Sequence, residues 1–196
     1  MNVLVLAAGG GTRFGGPKAL ATFDRSRLVP GEQESERTFL EIIVGGLPLA
    51  KVTVVIGASA DEAQEHHRAL DVRWVRNVVW DSTDMMASLR LGLAACGASE
   101  PTLVWPVDCP HADHDLVLAL ERAVADAPCP WAAVPHHAGL PGHPIALSPR
   151  ACAELVASDL GTLREWLEGH RDEVARLDWP NPCVLLNVNT PEDGSR

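Results

Sequence analysis

The sequence predicts a three-layer α/β/α fold around a mostly parallel, Rossmann-like sheet. Two patterns carry that expectation: short runs rich in Val, Leu and Ile that end at turn residues, and amphipathic stretches with helix-capping signals between them. Strand and helix alternating in this way build parallel sheets with right-handed crossovers.

The expected strands, in chain order, are residues 3–6, 52–56, 72–75, 102–105, 131–134, 144–147 and 183–186. Helices are expected between them. Thr38 with Glu41, and Ser59 with Glu62, have capping-box spacing, Ser82 or Asp84 is placed to cap residues 85–95, and Asp113 to cap residues 116–124. Leu116, Val117, Leu120 and Val124 fall on one face at helical spacing, as in a helix laid on a sheet. The polar stretch 24–37 reads as a long surface loop. At 196 residues and 46% hydrophobic content, a single domain spanning 1–196 is expected.

Composition narrows the function classes. A formal net charge of −10 argues against nucleic-acid and anionic-membrane partners, which need a cationic face. No apolar run approaches the roughly 20 residues that span a bilayer. The opening stretch is broken early by glycines, unlike a secretory signal, so a cytoplasmic protein is expected. Five widely spaced cysteines without a CxxC pair indicate reduced thiols, not disulfides or a zinc knuckle. Acidic residues are absent before Asp24, whereas Arg13 and Lys18 both lie there, a distribution suited to an anion.

Residues 6–18 read LAAGGGTRFGGPK. Gly9, Gly10 and Gly11 directly follow the first strand, where backbone N–H groups can approach an anion without interference from a Cβ. Two familiar glycine motifs fail here. A dinucleotide fingerprint begun at Gly9 would need glycine where Phe14 stands, and a P-loop begun at Gly11 would need lysine where Pro17 stands. Strand ends in such sheets bind ligands, which also draws attention to VWPVDCP (104–110) and LNVNTPED (186–193). Asp108, at the end of a buried strand, is placed to hold a hard cation against a phosphate.

Together these segments resemble the MobA-like nucleotidyltransferases, whose members include molybdenum-cofactor guanylyl- and cytidylyltransferases and, more distantly, sugar-phosphate nucleotidyltransferases. The resemblance implies the nucleotide-diphospho-sugar transferase type of fold and transfer of a nucleoside monophosphate, with pyrophosphate released. It implies Mg²⁺ as cofactor, held by Asp108 and Asn189. Arg13, Lys18 and Asp108 are the implied catalytic residues. Leu6, Ala7, Ala8, Gly9, Gly10, Gly11, Thr12, Arg13, Lys18, Ser88 and Asp108 are the implied nucleotide site. The segment GHP (142–144) matches one near the family's acceptor pocket, which makes His143 the implied acceptor-binding residue.

NVVWDSTDMMASLRLGL (77–93) resembles the cytidylyl branch more than the guanylyl one, with Asp84 where that branch has glycine; LAAG points the same way. CTP is therefore favoured over GTP as substrate, with a phosphorylated small molecule such as molybdopterin as acceptor. A sugar phosphate, alditol phosphate or phosphocholine is the alternative acceptor, and a non-catalytic nucleotide-binding chaperone or regulator the alternative of another class. Met85, Met86, Leu89 and Leu93 read as core at helical spacing, and the pairs His66/His67 and His136/His137 as solvated side chains.

Overall fold

The computed structural model describes residues 1–11, 14–24, 36–47, 51–125 and 130–190. Strand β1 (Asn2–Ala7) buries all of its residues, as a strand covered on both faces must. Strands β2 (Thr22–Asp24) and β3 (Glu36–Thr38) form a separate antiparallel ribbon. The ends of the expected 24–37 loop are therefore structured, because Phe23 anchors them edge-on against Phe39, 6.3 Å between ring centroids. Residues 25–35 lie outside the described residues.

Helix α1 (Phe39–Gly45) starts at the expected capping box: Thr38 Oγ1 accepts from the Glu41 N–H at 3.1 Å, and the Glu41 carboxylate accepts from the Thr38 N–H at 2.8 Å. Strand β4 (Lys51–Ile56), helix α2 (Ala60–His66), strand β5 (Arg73–Arg76), helix α3 (Met85–Cys96), strand β6 (Thr102–Pro106) and helix α4 (His114–Ala125) continue the alternation. Asp84 caps α3 through the Ala87 N–H at 2.9 Å, and Asp113 caps α4 through the Leu116 N–H at 3.0 Å. Then follow β7 (Ala132–His137), β8 (Leu140–Pro141), β9 (Ile145–Leu147), helices α5 (Pro149–Ala157) and α6 (Leu163–Gly169), and β10 (Val174–Asp178).

The main sheet has the order β10-β7-β9-β6-β1-β4-β5, with β8 paired to β7. Strands β6, β1, β4 and β5 run parallel, as do β10 and β7, while β9 is antiparallel to both of its neighbours. Alternation along β1 feeds two apolar layers. Val3, Val5 and Ala7 join Phe39, Ile43, Leu116 and Leu120 on one face, and Leu4 and Leu6 join Met86, Leu89, Leu155 and Trp166 on the other. The three-layer expectation holds on that division.

Four local expectations are corrected. Residues 183–186 are not a strand: Pro182–Leu185 is a 3₁₀ turn, started by Pro182 and by Asn181, whose Oδ1 accepts from the Cys183 N–H at 3.0 Å. Ser59 does not cap α2, because its backbone is left-handed (φ 52°, ψ 36°) instead of the extended conformation an N-cap needs. His67 is not solvated but 1% exposed, with its ring between Thr38 and the Ala63 carbonyl. Met85 is 58% exposed, so only Met86, Leu89 and Leu93 belong to the core. Among the described residues no helix is long and apolar enough to cross a membrane.

Candidate active site

The register of the central parallel strands builds the site. Leu6 of β1 lies opposite Pro106 of β6, and the Val107 N–H continues the ladder by donating to the Leu6 carbonyl at 3.0 Å. Beyond that bond the two strands end, at the carboxyl edge where open α/β sheets take their ligands. A cavity of about 410 Å³ opens there, large enough for a nucleotide-sized ligand.

Of the residues singled out in the sequence, Leu6, Ala7, Ala8, Gly9, Gly11, Lys18, Ser88, Asp108 and Asn189 line this cavity. Thr12 and Arg13 lie outside the described residues. Gly10 does not line the cavity; it packs beneath the Trp80 indole, where an added Cβ would come within 2.9 Å of Cζ3.

The glycine loop is held by one carbonyl. The N–H groups of Phe14, Gly15 and Gly16 all donate to the Gly11 oxygen, at 2.9, 3.0 and 3.2 Å. These bonds close the turn. Gly11 has φ 58°, and a Cβ there would collide with the Gly16 carbonyl, so glycine is required on both conformational and steric grounds. Pro17, with φ −65°, then opens a 3₁₀ turn at Lys18–Leu20.

Lys18 is the hub of the site. Its Nζ donates to Asp108 Oδ2 at 2.8 Å and to Asn189 Oδ1 at 2.9 Å. The lysine and aspartate side chains are 16% and 25% exposed, so this pair is shielded far more than a surface salt bridge. Asn189 is brought in by the backbone, since the neighbouring Val188 is buried and its N–H donates to the Asp108 carbonyl at 2.8 Å. Asn189 Nδ2 in turn donates to Asn187 Oδ1 at 2.9 Å, which aims its oxygen at Lys18. A carboxylate and an amide oxygen gathered on one ammonium make a donor set that also fits a hard divalent cation.

The opposite wall comes from the start of α3. Buried Asn77 donates through Nδ2 to Ser88 Oγ at 3.0 Å and accepts from the Val79 N–H at 3.1 Å. With an oxygen lone pair engaged by Asn77, the Ser88 hydroxyl keeps its proton to donate. Phe14, Trp80, Thr83, Asp84, Met85, Pro106 and Val107 complete the lining, and none of them is among the residues the sequence marks for ligand binding. Trp80 packs against two glycines distant in sequence, Gly10 and Gly57: a Cβ on Gly57 would come within 2.5 Å of Trp80 Cβ and of the Ala8 carbonyl.

His143 does not line the cavity. Its N–H donates to the Val184 carbonyl at 2.8 Å and its own carbonyl accepts from His111 Nε2 at 3.0 Å. Burial lowers the His143 pKa, opposed by the nearby charge of Asp108. His111, missed in the sequence, is 2% exposed, and burial lowers its pKa to about 4. Cys109 is buried beside Asp108, and its thiol pKa is pushed well up, chiefly by burial and then by that carboxylate. Away from the cavity, Glu41, His66 and His67 place one ligand atom each within 4.8 Å of one another, but both His67 ring nitrogens already have partners in Thr38 and Ala63.

The chain aligns at 33% identity over 133 residues with the molybdenum cofactor guanylyltransferase of Pseudomonas paraeruginosa strain PA7, a match spanning 66% of this chain and 60% of that protein. The fold superposes on the Mycobacterium sp. strain JC1 homolog of Mycobacterium tuberculosis Rv0371c with a TM-score of 0.73 at 25% identity, covering 100% of this chain and 93% of that one. It also superposes on Rv0371c from M. tuberculosis H37Rv in complex with manganese, with a TM-score of 0.66 at 22% identity over 100% and 96% of the two chains. Residues 3–174 match the MobA-like NTP transferase domain, which takes in the glycine loop, Lys18, Ser88 and Asp108, and the chain belongs to that family.

Proposed function

We propose that this protein transfers a nucleoside monophosphate from a nucleoside triphosphate to a phosphorylated small-molecule acceptor such as molybdopterin, using Mg²⁺ and releasing pyrophosphate. The observation that carries this reading is the Lys18 ammonium shared by Asp108 and Asn189 in a cavity floored by the glycine loop. An acceptor phosphate oxygen attacks the α-phosphorus; the new P–O bond forms as the bond to the β-phosphate oxygen breaks, and pyrophosphate leaves with the electron pair. An ionised phosphate has no proton to lose, so no general base is required of the protein.

Positioning and charge neutralisation are then the protein's main contributions. Asp108 and Asn189 would hold the cation, which supplies Lewis-acid stabilisation of phosphate charge when bound. Lys18, with Arg13 by family resemblance, neutralises the triphosphate. The Ser88 hydroxyl, oriented by Asn77, donates to the base or ribose. For the base, LAAG and the segment 77–93 favour cytosine, whereas the P. paraeruginosa relative carries a guanylyl name. The manganese complex of Rv0371c supports a divalent cation in this fold.

The test is pyrophosphate release with each of the four NTPs, Mg²⁺ and a panel of phosphorylated acceptors including molybdopterin. CTP-dependent release with molybdopterin is expected. Release with GTP alone overturns the base assignment, release only with sugar or alditol phosphates overturns the acceptor, and binding of Mg-nucleotide without release under any acceptor overturns catalysis.

A further inference from the structure

We propose that Lys18 is the resident cation of the nucleotide-free protein, standing where the divalent cation goes, so that metal and triphosphate are taken up together and Lys18 exchanges its two oxygens for phosphate. This rests on the nucleotidyltransferase reading of the cavity and specifies its order of binding.

The ammonium reaches two oxygens from distant parts of the chain at hydrogen-bond distance, Asp108 Oδ2 at 2.8 Å and Asn189 Oδ1 at 2.9 Å. Both oxygens are those a hard divalent cation would use. The segments that carry them are joined without Lys18, by the Val188 N–H donating to the Asp108 main-chain carbonyl, and the Asn189 amide is oriented by its Nδ2 donating to Asn187 Oδ1. Releasing Lys18 therefore leaves the two segments joined and the Asn189 oxygen aimed at the same point.

Two cations do not share these ligands at close range, because their repulsion in a shielded site is weakly screened. A divalent ion arriving alone must displace the ammonium of a lysine whose side chain is only 16% exposed. A triphosphate supplies both remedies, bringing its own metal and offering anionic oxygens to the displaced lysine. Lys18 begins a 3₁₀ turn at the end of the glycine loop, so rotation of its flexible stem carries the ammonium along the loop without moving the sheet. Such an exchange keeps the Asp108 charge neutralised and withholds the metal ligands until nucleotide is present.

The experiment measures Mn²⁺ binding by the loss of free-ion electron paramagnetic resonance signal, with and without a triphosphate carrying a non-cleavable α,β-methylene bridge. Wild type is expected to bind Mn²⁺ at least 10-fold more tightly in the presence of the analogue than the analogue and protein do separately. Lys18→Met is expected to bind Mn²⁺ without nucleotide at least 10-fold more tightly than wild type, Lys18→Met/Asp108→Asn to lose that gain, and Lys18→Arg to keep the metal out. Equal nucleotide-free affinity in wild type and Lys18→Met, with metal-nucleotide binding intact, overturns the exchange and leaves the functional reading standing. Tight nucleotide-free Mn²⁺ binding in wild type that Asp108→Asn abolishes also overturns it, and needs no lysine variant to fold. Failure of wild type to bind any nucleotide analogue, with or without Mn²⁺, overturns the functional reading itself.

Discussion

The Val188 N–H donates to the Asp108 carbonyl oxygen at 2.8 Å, fastening the carboxyl-terminal segment to the loop that follows β6. This backbone bond, with the burial of the Val188 side chain, sets Asn189 beside Lys18, so the second oxygen of the site is placed by its neighbour and not by packing of Asn189 itself. Asn189 is itself exposed, which separates its role in the site from a role in stability. Asn189→Ala is expected to lower kcat/KM for pyrophosphate release by about 10- to 100-fold, the usual cost of weakening a metal or phosphate site by one partner. Its melting temperature should stay near wild type. Asn189→Asp, which supplies a stronger oxygen ligand, should retain Mn²⁺ binding; a variant that melts early would place Asn189 in the fold instead.

Gly57 lies where β4 ends and Trp80 begins to cover the glycine loop. An added Cβ would press on Trp80 Cβ and on the Ala8 carbonyl, both at 2.5 Å, and the latter is backbone that cannot swing aside. Gly57→Ala is therefore expected to cost about 1–3 kcal/mol, the range for overpacking a filled site. It should also raise KM for the nucleotide, because both Trp80 and Ala8 line the cavity. Gly169→Ala makes the control, since nothing stands within 4 Å of its Cβ position at the end of α6. Urea denaturation and a nucleotide titration of each variant separate the two effects.

Much of this arrangement was legible in the sequence because it is local. Buried parallel strands are continuous apolar runs, and the caps at Thr38, Asp84 and Asp113 are spacing rules that act within one turn. Strand β10 was missed because its sequence, VARLD, carries two charges, which a strand at the sheet edge tolerates and a buried one does not. Helix α6 carried a readable signal, the Thr162/Glu165 capping box, that was passed over. Lys18 and Asp108 were each identified from their own motifs. Their mutual ion pair was not, since it is created by the β1–β6 register and no single segment encodes it. Trp80 and His111 escaped for the same reason, as their surroundings come from several elements.

His111 ties acid sensitivity to the same region. Its Nε2–H donates to the His143 carbonyl, and burial lowers its pKa from 6.5 to about 4. The folded state thus binds the imidazole proton less readily than the unfolded chain does. Stability from this group is fully present above about pH 6.5 and is lost as pH falls toward 4, by roughly 3 kcal/mol in total, since each unit of pKa difference is worth about 1.4 kcal/mol. His67 and His143, whose pKa values are also lowered, first by burial, add to the loss in the same direction. Urea midpoints at pH 7.5 and 4.5 check this. His111→Gln, which keeps a side-chain donor but does not titrate, should narrow the difference between the two midpoints even if it lowers both.

Thr38 joins a helix cap to a buried histidine, and its hydroxyl serves both. The His67 Nδ1–H donates to the Ala63 carbonyl at 2.9 Å, which leaves Nε2 as an acceptor for the Thr38 O–H at 2.8 Å, while Thr38 Oγ1 accepts from the Glu41 N–H. Thr38→Val keeps the shape and removes both bonds. The lost cap costs about 1 kcal/mol and the stranded buried nitrogen about 1–3 kcal/mol more, so a loss of roughly 2–4 kcal/mol is expected. Thr38→Ser should lose far less, because it keeps the hydroxyl. In Thr38→Val/His67→Phe no ring nitrogen is left without a partner, so the double variant should be more stable than the sum of the two single losses. Urea denaturation of the four proteins at pH 7.5, with unchanged slope against denaturant, measures the cycle. Strict additivity would mean that the Thr38–His67 bond contributes nothing and that the cap alone accounts for the cost of Thr38→Val.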